Sequence, residues 1–168
     1  LCIGNSRELS WFRDAISGKC DIKSHWLNEE SREVSFLGRR ITWTEEGIEI
    51  EADPEHVSIL LREWKMENCK ASETPIHHED TVINEQDMSA SEATLFRRAA
   101  ARVNYLGQDR PDLNVASRIL AMRMAKPKKG DELILKRVLR YLKGYPRSSY
   151  CYEFTNQGWD LELYTDSD

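Results

Sequence analysis

No apolar run in the 168 residues approaches the roughly 20 needed to cross a bilayer, and the N-terminus has neither a basic n-region nor an apolar h-region. Membrane and secretory readings drop out, and the expectation is an intracellular protein. Cysteine is sparse: Cys2, Cys20, Cys69 and Cys151 stand one to a segment, without a CxxC pair. That spacing fits a reducing compartment and gives no disulfide framework. Phosphate-cradling glycine loops are missing, the nearest candidates being the lone Gly38 and Gly47, and no serine occupies a nucleophile elbow. The cysteines and His25, His56, His77 and His78 match no zinc spacing, since two adjacent histidines cannot both face one ion without strain.

What the chain does have is charge. Charged residues make up 32% and hydrophobic residues 40%, with 24 Lys and Arg against 29 Asp and Glu and a net charge of -5. A chain of about 150 residues buries roughly 70% of its unfolded surface, enough for one core or two small ones without staples. The charge is unevenly divided. Residues 1–93 carry 10 basic and 20 acidic side chains, residues 94–147 carry 14 and 4, and residues 148–168 carry 0 and 5. A basic block inside an acidic chain suits a polyanionic partner, because each cation near a phosphate releases condensed counterions. The same block is equally consistent with solvated helix faces, or with pairing against the acidic part of the chain.

Local patterns give an α+β chain. Ser6 is placed to cap a helix over 6–17 with Leu9, Phe12 and Ile16 on one face, and Gly18 to end it. Cys20, Ile22, Ser24 and Trp26 alternate with polar residues, which predicts a strand. Val34 and Phe36 lead through Gly38 to Ile41 and Trp43, and Gly47 reverses the chain into Ile48, Ile50 and Ala52, an antiparallel hairpin. Asp53 before Pro54 opens a helix with Val57, Leu60, Leu61 and Trp64 at i, i+3, i+4 and i+7. Residues 68–88 show no period and read as a linker or long loop. Ser89 and Glu92 have capping-box spacing ahead of Leu95, Ala99, Val103 and Leu106. Asp112 is placed to cap a helix over 113–124, and Asp131 one over 132–143. Tyr150, Tyr152 and Phe154 alternate, Asn156-Gln157-Gly158 turns, and Trp159, Leu161, Leu163 and Thr165 alternate again, so a second hairpin is expected at the end.

Two places could carry chemistry. Asp166 leaves an alternating strand, where a rigid ladder would fix a carboxylate toward magnesium, although an aspartate there also simply initiates turns. In the helix over 95–105, Ala99, Ala100 and Ala101 are small, Arg97, Arg98 and Arg102 flank them, and Tyr105 follows one turn later. Small, basic and aromatic side chains together suit a duplex groove, and equally suit alanines in a tight helix crossing with Tyr105 in the core. Lys126, Lys128, Lys129, Lys136, Arg137, Arg140, Lys143 and Arg147 extend the basic character.

The ordered motifs Phe36-Leu37-Gly38-Arg39-Arg40-Ile41, Gly47-Ile48, Leu60-Leu61, Met66-Glu67-Asn68-Cys69-Lys70, Thr74-Pro75, Leu95-Phe96-Arg97-Arg98, Val103-Asn104-Tyr105-Leu106 and Arg110-Pro111-Asp112 precede Lys136-Arg137-Val138-Leu139-Arg140-Tyr141-Leu142-Lys143-Gly144 and Tyr164-Thr165-Asp166-Ser167-Asp168. Together they resemble the Pol polyprotein of copia-type LTR retrotransposons, from the rear of the reverse transcriptase palm into the start of RNase H. Four parts are implied: residues 1–70 as the palm's C-terminal part with a primer-grip-like hairpin and two helices, 71–88 as a linker, 89–147 as a basic helical thumb and connection, and 148–168 as the first β-hairpin of an RNase H-like domain. Leu1 in place of Met, and an end directly after a patterned strand, lead to the expectation of a piece of a longer protein whose paired palm aspartates lie upstream.

By that resemblance the chain positions a template–primer duplex, an RNA–DNA hybrid or a DNA duplex, through Gly38, Arg97, Arg98, Ala101, Arg102, Tyr105, Lys136, Arg137, Arg140 and Lys143. Relatives usually carry glycine where Ala101 stands. Lys23 falls where polymerases place a proton-donating lysine. Asp166 is implied as the first RNase H metal carboxylate, with Mg2+ bound by the intact parent enzyme and not tightly by this chain alone. The remaining partner is the rest of the Pol polyprotein, in a cytoplasmic particle or the nucleus. Two other classes stay open: a non-catalytic nucleic-acid-binding or interaction module derived from a retroelement, and a helical adaptor whose acidic half masks its basic half.

Overall fold

The computed structural model describes residues 2, 4–77 and 84–154. Within them lie helix α1 (Ser6–Ser17), strands β1 (Glu33–Phe36), β2 (Arg39–Trp43) and β3 (Gly47–Ala52), helices α2 (Glu55–Glu63) and α3 (Ala90–Leu106), a 3-10 turn (Pro111–Leu113), helices α4 (Asn114–Arg123) and α5 (Asp131–Gly144), and strand β4 (Ser149–Glu153). Among the described residues the fold is α+β, with five helices and one antiparallel sheet in the order β1-β2-β3-β4.

Period-two alternation gives the sheet its two faces. Val34, Ile41, Ile50 and Tyr150 are cross-strand partners in one row, while Glu33, Thr42, Glu49 and Cys151 form the adjacent row on the other face. The segment expected to be one hairpin is thus a three-stranded meander. Strand β4, expected to begin a new β unit, extends this same sheet. The return strand expected after Gly158 lies outside the described residues. Gly47 makes the last pairing fit, because a Cβ there would overlap the Tyr152 carbonyl and backbone of β4. Residues 20–26 join no ladder among the described residues, despite their alternation. Ile22, Lys23 and Trp26 instead line a groove of about 680 Å³ between the apolar face of the sheet and Leu9, Phe12 and Ile16 of α1, a helix with no buried residue.

The core is helical and sits at one end of the sheet. Val57, Leu60 and Leu61 of α2 pack with Phe96, Ala99, Ala100 and Val103 of α3, Leu120 of α4, and Leu135, Val138, Leu139 and Leu142 of α5. Each large side chain buried this completely contributes about 1.5–3 kcal/mol. Ala52, at the end of β3, is the sheet residue that joins this cluster. Among the described residues no helix is long and apolar enough to cross a membrane.

Caps follow the sequence in part. The Ser89–Glu92 capping box forms in both directions. Asp53 accepts the Glu55 amide at 2.9 Å, as an N-cap carboxylate should. At α1 the cap is Asn5, whose side chain accepts from the Arg7 amide, and Ser6 is already helical. Asp112 and Asp131 do not cap α4 and α5. The Asp131 carboxylate accepts from the amide of Lys128, in the preceding turn, at 2.7 Å. Asp112 is taken by a buried cation: Arg110, 2% exposed, reaches it through Nε at 3.2 Å and Nη2 at 2.6 Å. Arg110 also donates to the Tyr145 carbonyl at 2.8 Å, and the Tyr141 hydroxyl donates to Asp112 at 2.9 Å. The motif Arg110-Pro111-Asp112 therefore latches the α3–α4 turn to the end of α5.

Burial alone would raise the Asp112 carboxyl, but hydrogen bonds from Arg110 and Tyr141 and the Arg110 charge outweigh it and hold it below its ordinary value. Its stabilisation is therefore complete above the unfolded-state value of about 3.9 and is lost as pH falls through the lower folded value. Arg110→Met should lower the unfolding free energy in urea by about 3 kcal/mol, because it strands a partly buried carboxylate. Asp112→Asn should make the acid limb of the unfolding curve less steep when followed by circular dichroism. Gly47→Ala should release β4, seen as faster amide exchange over residues 149–153 with the helical core still protected.

Candidate nucleic-acid interface

Helix α3 buries one side completely, and its period of 3.6 residues then fixes what the other side presents. Phe96, Ala99, Ala100, Val103 and Leu106 are in the core. Arg97, Ala101 and Tyr105, at i, i+4 and i+8, form the outward row, with Arg98 and Arg102 in the row beside it. Of the three alanines read as small groove-facing residues, Ala99 and Ala100 are therefore helix-packing residues, and Ala101 is the exposed one. The five residues named on this helix share one face.

The face adjoins the turn between β1 and β2. Leu37 and Gly38 both have positive φ, at 50° and 71°, the backbone of a two-residue type I′ hairpin turn. Gly38 tolerates this without strain and also makes room for Tyr105, whose hydroxyl would lie 3.0 Å from a Cβ at Gly38. That hydroxyl donates to the Leu37 carbonyl at 3.3 Å. Leu37 itself is a strained leucine with its side chain in solvent, 71% exposed. Gly38 and Tyr105, separate in sequence, are thus brought into one place.

Each arginine of the face has a fixed base. Arg97 donates from Nε to the Met124 carbonyl at 2.7 Å and from Nη2 to the Ala125 carbonyl at 3.3 Å, so it closes the C-terminal end of α4. Arg98 lies 3.7 Å from Glu63 of α2, with its side chain still 57% exposed. Arg102 meets Nδ1 of His56 at 2.9 Å, and the His56 ring stands edge-on to Tyr105 with centroids 4.9 Å apart.

Three of the four α5 cations have partners within the chain. Lys136 pairs with Glu132 one turn back at 2.6 Å. Arg137 donates to the Thr74 hydroxyl at 3.0 Å, and Arg140 donates to the Lys70 carbonyl at 2.9 Å. Arg140's own carbonyl accepts from Ser72 at 3.1 Å, so α5 holds residues 70–74 along its side. Lys143 is exposed in the last turn. Several further cations turn toward acids: Arg147 makes a bidentate pair with buried Glu51 at 2.6 and 2.7 Å, and Lys128 meets Asp87 at 2.6 Å. The Arg147 hydrogen bonds hold the Glu51 carboxyl below its ordinary value, against the upward push of burial. The cations of the basic block thus comprise an outward face on α3, further exposed side chains such as Arg118, Lys126 and Lys143, and struts that tie elements together.

Arg110 and His56 are the side chains that sequence reading passed over here. Arg110 was legible only as a motif signpost, and His56 carried no local signal. Lys23 lies in coil at the groove beside α1, and His77 falls in the segment after Pro75. Asp166 and His78 lie outside the described residues. Among the described residues no group of three or more His, Cys, Asp or Glu could hold a metal ion.

Comparison with known proteins adds a lineage. An uncharacterized mitochondrial protein of Arabidopsis thaliana is 30% identical over 135 residues, which is 79% of this chain and 54% of that protein. The retrovirus-related Pol polyproteins from transposons RE2 and RE1 of Arabidopsis thaliana are 28% and 27% identical over 155 residues, 92% of this chain and 10% of each polyprotein. No protein-family model and no solved structure matches the chain.

Asparagine adopts positive φ more readily than leucine, and Asn-Gly is a preferred I′ pair. Leu37→Asn should therefore raise the unfolding free energy by about 0.5–1 kcal/mol in urea denaturation.

Proposed function

Proceeding from a chain homologous to the retrovirus-related Pol polyproteins of copia-type plant transposons, we propose that it is the template–primer-handling part of an RNA-directed DNA polymerase. Its ligand in this reading is an RNA–DNA hybrid or a DNA duplex, and its other partner is the remainder of the polyprotein, in a cytoplasmic particle or the nucleus. The observation that carries the reading is the contact between Tyr105 and the Leu37 carbonyl, which sets the β1–β2 turn against the outward arginines of α3.

The parts divide the work by chemistry. Arg98 and Arg102, with Arg97 beside them, meet phosphates of the backbone and set register by charge. Ala101 keeps the helix surface low between them, so that the groove edge comes close to the backbone of α3. The turn at Leu37 and Gly38 adds contact by main chain and an apolar tip, with no charge of its own, which suits the end of a primer. Residues 1–70 act in this reading as the rear of a palm, 89–147 as thumb and connection, and 148–168 as the opening of an RNase H-like domain.

Magnesium would supply Lewis-acid and water-activating chemistry in the intact parent. The described residues do not form a set that fits it. In this reading Asp166, outside the described residues, would be the first metal carboxylate of an RNase H-like site.

A second reading has an observation of its own. The pairs Arg147–Glu51, Arg98–Glu63 and Lys128–Asp87 are what a helical adaptor with a self-masked basic block would show. Salt dependence separates the two. Fluorescence anisotropy with an RNA–DNA hybrid should give affinity that falls steeply with salt, and Arg98→Ala or Arg102→Ala should each reduce the log–log slope by about 1. Arg140→Ala should loosen residues 70–74 and leave the slope nearly unchanged, and Asp166→Asn should change binding little. Affinity that is flat between low and moderate salt would select the adaptor.

A further inference from the structure

His56 stands in the first turn of α2, and its contacts bear directly on the α3 face. A guanidinium has only donors, so at 2.9 Å from Nη1 of Arg102 the Nδ1 of His56 must be the acceptor. That fixes a neutral imidazole with its proton on Nε2. The Nε of Arg102 is buried and has no hydrogen-bond partner among the described residues. His56 is therefore the group that sets where this guanidinium lies. The same ring packs edge-on to Tyr105 at 4.9 Å, and Tyr105 in turn holds the β1–β2 turn through the Leu37 carbonyl.

We propose that His56 is a positioning residue of the interface: as a neutral Nε2–H imidazole it aims Arg102 at a duplex phosphate, and its protonation releases Arg102 and weakens duplex binding. This rests on the duplex-handling reading above and goes beyond it in assigning a residue and a control to that site. The charged and titratable groups in contact with the ring are Arg102 and Tyr105 of α3, and Asp53 and Glu55 stand next to it in the chain at the start of α2. An imidazolium has no acceptor left and repels the adjoining guanidinium, so Arg102 loses its anchor.

The sign of the effect is diagnostic. A histidine that merely gained charge near a phosphate would strengthen binding as pH falls, whereas loss of Arg102 positioning weakens it. The test is hybrid binding by the full chain at about pH 7.5 and about pH 5.5, for wild type and His56→Gln, with 15N spectra of the imidazole nitrogens. Glutamine offers an acceptor oxygen at both pH values. Wild type should bind about tenfold more weakly at the lower pH, His56→Gln should not show that loss, and Nδ1 of His56 should resonate as an unprotonated nitrogen at the higher pH. A protonated Nδ1 at the higher pH, or wild-type binding that holds or tightens at the lower pH relative to His56→Gln, would overturn the proposal while leaving the duplex reading standing. No hybrid binding by wild type at the higher pH would overturn both.

Discussion

Burial of one face of α3 is the constraint from which the remaining geometry follows. Phe96, Ala99, Ala100, Val103 and Leu106 lock the helix against α2, α4 and α5, and a helix locked on one side has no freedom over what it shows on the other. Arg97, Arg98, Ala101, Arg102 and Tyr105 are outward because those five are inward. Ala99 and Ala100 are fully buried in that packing, and a densely packed inner face gives the outward side chains a fixed base.

The basic block then meets a conflict between two uses of a cation. A guanidinium at a phosphate must keep donors free, while one that braces a fold spends them inside. Arg110 is the extreme of the second kind: fully enclosed, it satisfies Asp112, the Tyr145 carbonyl and the neighbourhood of Tyr141. Removing water from such a pair is costly, and the geometry must be nearly complete for the pair to be tolerated. Less enclosed, Arg147 with Glu51 ties the segment after α5 to β3, and Arg39 with Asp109 ties β2 to the turn after α3. Exposed pairs such as Lys136 with Glu132 contribute little to stability, and their charge remains available to solvent.

The sheet and the helical core meet along a short seam, since Ala52 is the sheet residue in the core cluster. Polar links carry most of that seam: the Tyr105 hydroxyl to the Leu37 carbonyl, the Arg39–Asp109 pair and the Glu51–Arg147 pair. Directional contacts of this kind set angle and distance more sharply than apolar burial does. The β1–β2 turn is consequently held at a defined place beside α3, with Leu37 in a conformation that leucine adopts only under such restraint.

Periodicity alone determined the α+β composition, the heart of every helix, the alternation of the strands and the capping box at Ser89, because each depends on residues a few positions apart. It also brought the arginines and Tyr105 together on one helix, but grouped the inward Ala99 and Ala100 with them. What local pattern could not decide was partnership. The alternation of residues 20–26 is that of a strand, yet a strand exists only with a neighbour to bond, and none of the described strands takes that place. Asp112 and Asp131 have the look of caps, but Arg110 and the Lys128 amide compete for their carboxylates and win. The split of the cations into outward face and inward struts, the joining of β4 to the first sheet, and the meeting of His56 with Arg102 come from contacts between residues far apart in the chain. Those contacts depend on how the elements pack, and packing is a property of the whole fold.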